Sequence, residues 1–289
     1  MAFDTDGIHA GVPFAEYLGH PAFSSSDLRT FRQGPPAMVP WKREHRDQDA
    51  TDATRLGSAA HCRILTPNEF EQRFVVKPAG LEFRTKEAKD LRDGWLAAGL
   101  TILSSAEDDQ VRQIAKAFQA KATAQQSLAA ATHVEASMLW TCRRTGLPCK
   151  GRPDWVDGDA VYDLKLSVEA EKSLEQLRFR AHQNGWLNQL AHYRFGLGSL
   201  GHPVRVGRLV VVAPRSPQDL RVWLIELNED AMDHLELANE ITRKQIAECH
   251  RRGHWPATPD TWQQVELPPS AVFVDEVDLE GAEEDLFHV

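Results

Sequence analysis

The sequence predicts an α/β fold, and three observations lead there. Trp155-Val156 and Ala160-Val161-Tyr162 flank Asp157-Gly158-Asp159, a turn signal between two β-favouring runs, so residues 151–165 read as a β-hairpin. Arg205 to Ala213 is an apolar run of strand length, and Leu220 to Leu227 alternates like a neighbouring strand. Around these lie runs of helical period, among them residues 106–130, 173–200 and 230–252. At 289 residues the chain is long enough for one large domain of this class.

In chain order, residues 1–21 hold Gly7, Gly11, Pro13, Gly19 and Pro21 without periodicity and read as an irregular arm. Phe23-Ser24-Ser25-Ser26-Asp27-Leu28 gives a helix start with a serine cap, and Gly34-Pro35-Pro36 stops that helix. Residues 41–55 are densely charged and read as a mobile loop or solvated face. Thr54 to Leu65 is a helix of small residues closed by Pro67, with Ala53, Gly57, Ala60 and Ile64 as a narrow packing stripe. Phe70 to Val76 reads as a strand, followed by helices over 86–98 and 106–130. The stripe Val111, Ile114, Ala115, Phe118, Ala122 of the second helix is core.

His133 to Arg143 alternates and reads as one strand pairing with the hairpin. Residues 173–200 are helical with a break at Gly185. Pro214-Arg215-Ser216-Pro217 connects the two late strands. In the helix over 230–252, Leu235, Leu237, Ala238, Ile241 and Ile246 are expected inward, with Arg243, Lys244, Arg251 and Arg252 outward.

Composition bounds the function classes. A 42% hydrophobic and 26% charged chain is ordinary for a soluble globule. No apolar run approaches the roughly 20 residues of a membrane span, and the first residues carry no signal-peptide pattern, so a cytosolic location is expected. The four cysteines, Cys62, Cys142, Cys149 and Cys249, are scattered without a CxxC pair, which argues against a disulfide framework or zinc ribbon. The net charge is −9, but residues 275–289 hold seven acids and no Lys or Arg. Setting that tail aside leaves −2 over residues 1–274, a body that can still carry a local basic groove. The acidic tail, from residue 258 on, is expected to be disordered.

The polar candidates converge on the hairpin. Asp163 and Lys165 are two apart and share a face of its second strand, with Leu164 on the other, and Asp154 sits on the first strand. Two carboxylates and an ammonium there suit a divalent, oxygen-seeking cation and a polarised water. Taken alone, His61 reads as a hydrogen-bonded core histidine and Glu135 as an exposed strand-end acid. Gln189 and Tyr193, at i and i+4, share a helix face.

Read in order, His61, Glu135, Asp154, Asp163-x-Lys165 and Gln189-x-x-x-Tyr193 resemble the PD-(D/E)xK nuclease superfamily. Within it the chain is similar to the exonuclease VIII (RecE-like) phage exonucleases, with the RecB nuclease domain more distant. The resemblance rests on Leu56-Gly57-Ser58-Ala59-Ala60-His61, Glu135-Ala136-Ser137 with Trp140, Lys150-Gly151-Arg152-Pro153-Asp154-Trp155, Asp163-Leu164-Lys165, and Gly185-Trp186-x-x-Gln189-x-x-x-Tyr193. It covers roughly residues 20–257. A bare D-x-K is a weak signal, whereas the ordered set is strong. The chain departs from the family at Leu166-Ser167, where threonines are usual, and in carrying Asp163 for the commoner glutamate.

The resemblance implies a restriction-endonuclease-like core, a central mixed β-sheet flanked by helices, as a nuclease domain over residues 22–257. It implies one or two Mg²⁺ or Mn²⁺ ions held by Asp154, Asp163, the Leu164 carbonyl and His61, with Glu135 in or next to that site. Lys165 is implied to orient the attacking water, and Gln189 and Tyr193 to position Lys165 and the DNA backbone. Arg152, read on its own chemistry, either pairs with a phosphate bidentately or balances the acids around it. The implied activity is digestion of linear double-stranded DNA from an end, 5′ to 3′, in a bacterial or phage-infected cell. The resulting 3′ overhang would serve a single-strand annealing protein, and a ring-shaped homo-oligomer would supply processivity.

Two other readings fit the same residues. One is an endonuclease or single-strand nuclease of the same fold acting in defence or repair; a Cas4-like version would carry clustered cysteines, which this chain lacks. The other is a catalytically silent DNA-binding module, for which acids near phosphate would serve no purpose.

Overall fold

The computed structural model describes residues 3–45, 52–167, 173–216, 219–258 and 260–261. The chain opens with β1 (Gly7–His9) and α1 (Phe14–Gly19), then α2 (Ser25–Gln33) and α3 (Met38–Glu44). Next come α4 (Asp52–Leu65), a 3₁₀ turn at Pro67–Glu69, α5 (Phe70–Arg73), β2 (Phe74–Val76), α6 (Lys86–Ala97) and β3 (Thr101–Leu103). Helices α7 (Ser105–Gln119) and α8 (Ala122–Ala129) precede β4 (His133–Val134), β5 (Ser137–Thr141), β6 (Pro148–Gly151), β7 (Trp155–Asp157) and β8 (Ala160–Leu166). The series ends with α9 (Leu174–Gln183), α10 (Trp186–Ser199), β9 (Val206–Ser216), β10 (Asp219–Leu227) and α11 (Glu229–Arg252).

The predicted hairpin forms as β7 and β8, with Trp155 opposite Tyr162 and Asp157 opposite Ala160. Gly158 at the turn has φ 55°, a conformation that glycine adopts without a Cβ penalty. β8 also pairs in parallel with β9, so the five-stranded sheet, in order β10-β9-β8-β7-β4, is mixed. Period-two alternation sends Val161, Leu209 and Val211 to one face, against Leu190, Tyr193 and Leu197 of α10 and Met232 and Ile246 of α11. Tyr162, Leu164, Val210 and Val212 go to the other face, against Ala60 and Ile64 of α4 and Ile114, Ala115 and Phe118 of α7. The expected α/β fold with helices on both faces is what is observed.

Several local expectations are corrected. Residues 1–21 are not irregular throughout. β1 pairs antiparallel with β5, and the Lys150 ammonium, itself buried, donates to the carbonyls of Tyr17, Leu18 and His20 at the end of α1. An ammonium can be buried there because those carbonyls replace its water. The charged stretch 41–55 holds the end of α3 and the start of α4, and its residues 46–51 lie outside the described ones. Residues 70–73 are helical, and only Phe74–Val76 forms a strand, parallel to β3. The helix expected over 106–130 breaks at Lys121, which lets α8 turn onto β7, where Trp155 Nε1 donates to Ser127 Oγ at 3.3 Å.

The single strand expected over 133–143 is divided at Glu135. Val134 pairs with Trp155, the Glu135 N–H donates to the Asp154 carbonyl at 2.9 Å, and the chain then leaves to pair with β6 in a second sheet, β1-β5-β6. Strand β9 runs on through Ser216, where a connection was expected.

On α11 Ile246 is buried and Lys244, Arg251 and Arg252 are outward as expected, but the rest of the expected face is rotated. Leu237 and Ile241 are 60% and 59% exposed, while Asn239, Thr242 and Arg243 are buried. Arg243 pairs with Glu236, and its guanidinium carbon lies 4.2 Å from the Phe195 ring centroid, which outweighs the apolar count of the helix.

Residues Met1–Pro256 form one compact unit; of the second, Ala257–Val289, the described residues are in neither helix nor strand. The acidic stretch 275–289 lies outside the described residues. All four cysteines are free, and among the described residues no helix is long and apolar enough to cross a membrane.

Candidate active site

The site lies where β7 begins and β8 ends. Asp154 precedes β7 and Asp163 and Lys165 lie on β8, so the hairpin register alone brings them together. Asp154 Oδ2 accepts a hydrogen bond from the Leu164 N–H, which ties the carboxylate to the neighbouring strand. Helix α4 approaches from the other side and sets His61 Nδ1 3.5 Å from Asp154 Oδ1. Ala59 and Ala60 beside it are fully buried, so the small-residue stripe is what lets the helix come close. Lys165 Nζ is 2.6 Å from Asp163 Oδ2, yet this oxygen is buried and outside hydrogen-bond alignment with any donor among the described residues. The contact is an ionic one between two side chains on one strand face.

Burial and charge pull the two acids apart. Burial alone would raise Asp154, but the adjacent His61, together with Lys165 and the Leu164 N–H, holds it below the ordinary carboxylate range. For Asp163 burial dominates over Lys165, and the Asp154 charge adds to it, so its pKa is pushed up to about 6. His61 would be lowered by burial, but Asp154 raises it above the usual imidazole value.

Gln189 and Tyr193 of α10 do share a face, and Gln189 Nε2 donates to Tyr193 Oη at 2.5 Å. Tyr193 is only 4% exposed, and burial keeps its phenol protonated well above the ordinary value. Its ring can lie against β6 because Gly151 has no Cβ: one placed there would meet Tyr193 Cδ1 and Met138 Cε at 3.0 Å. Tyr193 is therefore a support behind the site, and Gln189, half-exposed, is the member of the pair nearer solvent.

Glu135 and Arg152 form a flank. The Glu135 main chain is bonded to Asp154, but its carboxylate turns to Arg152 at 3.7 Å and Arg73 at 3.8 Å. Arg152 also donates to the Val12 carbonyl at 2.8 Å and to Ser137 Oγ at 3.3 Å. Arg73 was not anticipated from sequence; its pairing spans residues 73 to 135, and nothing local marks it.

The donor set suits a hard divalent cation. Asp163 offers a buried carboxylate, its Oδ2 paired with the Lys165 ammonium, and Asp154 and His61 stand beside it. Among the described residues no three His, Cys, Asp or Glu side chains are grouped as a complete metal cage. A Mg²⁺ ion held by one or two carboxylates completes its shell with water and substrate oxygens, so a partial protein cage fits it.

Residues 24–265 match the model of a family described as a PDDEXK-like domain of unknown function (DUF3799). No curated protein matches the chain in sequence. Among solved structures, the chain resembles a candidate exonuclease from Eubacterium rectale with a TM-score of 0.56 and 12% identity, over 88% of this chain and 93% of that one, a likeness of fold. A protein designated SSO0001 aligns with a TM-score of 0.38 and 14% identity, over 86% and 90% of the two chains. An alkaline exonuclease from Laribacter hongkongensis gives 0.26 and 12%, over 65% and 98%.

Proposed function

Since the chain belongs to the PDDEXK-like family whose model its residues 24–265 match, we propose that it is a divalent-metal-dependent DNA exonuclease acting on ends of linear double-stranded DNA. The observation that carries the reading is the convergence of Asp154, Asp163, Lys165 and His61 at one end of the β7–β8 hairpin. A packed core has no use for two carboxylates and an ammonium there, since isolated buried charge is costly.

Asp154, Asp163 and His61 would hold one or two Mg²⁺ or Mn²⁺ ions, with the Leu164 carbonyl as a further donor. An imidazole in the set favours Mn²⁺. When bound, the ion lowers the pKa of a water and offsets phosphate charge.

The rest of the chemistry belongs to the chain. Phosphodiester hydrolysis builds negative charge on the phosphate oxygens, and Lys165 supplies a fixed positive charge beside them while orienting the attacking water. Asp163 keeps Lys165 in place before substrate arrives. His61 holds the Asp154 carboxylate on one side and the Leu164 N–H holds it on the other. Tyr193 packs against β6 behind the site, and Gln189, nearer solvent, would meet the DNA backbone. Backbone contacts without a base-reading element fit digestion that ignores sequence.

Polarity 5′ to 3′, a 3′ overhang handed to a single-strand annealing protein, a ring-shaped homo-oligomer and a bacterial or phage-infected host complete the proposal. They rest on the sequence resemblance. The test is digestion of linear and covalently closed circular duplex DNA with Mg²⁺, Mn²⁺ or EDTA, with Lys165→Ala in parallel. Metal-dependent loss of the linear form alone, abolished in the variant, is the expected result. Cutting of circles would replace exonuclease with endonuclease, and no cleavage of duplex or single strands would overturn the nuclease reading.

A further inference from the structure

Glu135 is, among the described residues, the one non-glycine with a positive φ, 45°. Side chains avoid that region because Cβ crowds the carbonyl that follows, and strain of this kind persists where neighbouring contacts over-determine it. Here the Glu135 N–H is fixed on the Asp154 carbonyl. The kink aims the carboxylate at two guanidiniums from distant parts of the chain.

The geometry of that triad is unlike a stabilising ion pair. Arg152 Nη2 and Arg73 Nη1 approach the same Glu135 oxygen, at 3.7 and 3.8 Å. Both distances exceed a hydrogen bond, and neither arginine uses the two-pronged contact that makes arginine–carboxylate pairs strong. Each guanidinium has a support of its own. Arg152 is tethered to Val12 and Ser137, and Arg73 leans on the Phe74 ring at 5.8 Å and on Glu69 at 3.6 Å. Glu69 is exposed, so solvent screens it. The side chains of Arg73, Arg152 and Glu135 are 33%, 14% and 16% exposed, open enough to meet a ligand and dry enough for charge to count.

Resting on the nuclease reading above, we propose that Arg73 and Arg152 form a two-guanidinium clamp for a DNA backbone phosphodiester beside the cleaved bond. Glu135 is the anion that occupies the clamp until DNA arrives. Two guanidiniums that converge on one carboxylate oxygen can each donate to a non-bridging oxygen of a phosphodiester that takes its place. The clamp sits at the hairpin because Glu135 is bonded to Asp154 through the main chain.

The experiment is fluorescence anisotropy of a labelled duplex in EDTA, which blocks cleavage, as a function of salt for wild type, Arg73→Ala, Arg73→Lys and Glu135→Gln. Losing one phosphate contact should weaken Arg73→Ala about tenfold and reduce the slope of log K against log[salt] by about 0.9. Arg73→Lys keeps the charge and should keep the slope while binding several-fold more weakly. Glu135→Gln removes the competing anion and should bind several-fold more tightly. An unchanged Arg73→Ala slope, or weaker binding by Glu135→Gln, would overturn the clamp while leaving the nuclease reading intact. Wild-type protein that neither bound nor, with Mg²⁺ or Mn²⁺, cut DNA would overturn both.

Discussion

His61 Nδ1 stands 3.5 Å from Asp154 Oδ1, joining helix α4 to the first strand of the hairpin. The contact makes the carboxylate's orientation depend on a residue far away in sequence. His61→Ala should weaken Mn²⁺ affinity by about 10–100-fold, whether the imidazole binds the ion or only aims Asp154. Isothermal calorimetry on the folded variant checks this, and unaltered affinity would remove His61 from the site.

In the proposed reaction Lys165 carries a different part of the chemistry. Lys165→Ala should lower kcat by about 10²–10⁴-fold, because a fixed charge and an orienting donor act in the transition state. Substrate affinity should change far less. A loss confined to KM would assign Lys165 to DNA binding instead.

Asp163 gives a signed pH effect in the metal-free protein. Its pKa of about 6 in the fold lies above the ordinary carboxylate value, so the folded state keeps a proton that the unfolded chain has released. The Asp163 contribution to stability should therefore fall as pH rises from about 4 to about 6 and level off above, where the raised His61 adds a fall of its own. Asp163→Asn removes the titration, so its Tm should gain on wild type over that interval, by an amount worth of order 1–3 kcal/mol. Parallel melting curves would refute the assignment.

Gly196 tests the packing behind the site. A Cβ added there would lie 2.7 Å from Trp140 Cζ3, and a buried indole cannot step aside. Gly196→Ala should cost about 1–3 kcal/mol in thermal or urea unfolding. A variant as stable as wild type would mean that α10 and β5 leave room for a methyl group.

Much of the fold was legible because its signals are local. The hairpin follows from turn residues flanked by period-two runs, and the break between α9 and α10 follows from Gly185, which has φ 70°. The candidate residues stood out only as an ordered set: taken alone, His61 and Glu135 read as ordinary structural residues, and the succession of motifs along the chain is what made them candidates. What escaped depends on tertiary contacts. Counting apolar residues could not show that Arg243 would be drawn in by Glu236 and Phe195 while Leu237 and Ile241 faced water. Alternation around Glu135 concealed a kink that sends one apparent strand into two sheets. Arg73 carries no signal at all until the chain has folded.

The three carbonyls around the Lys150 ammonium make residues 17–20 an internal ligand of the strand that leads into Gly151, Arg152 and Asp154. Clipping the chain ahead of residue 21 would strand a cation in the interior next to the hairpin. The damage would register as loss of activity, although no residue removed takes part in the reaction. A synthetic peptide spanning the clipped residues, added back, should restore part of that activity by returning the carbonyls to Lys150.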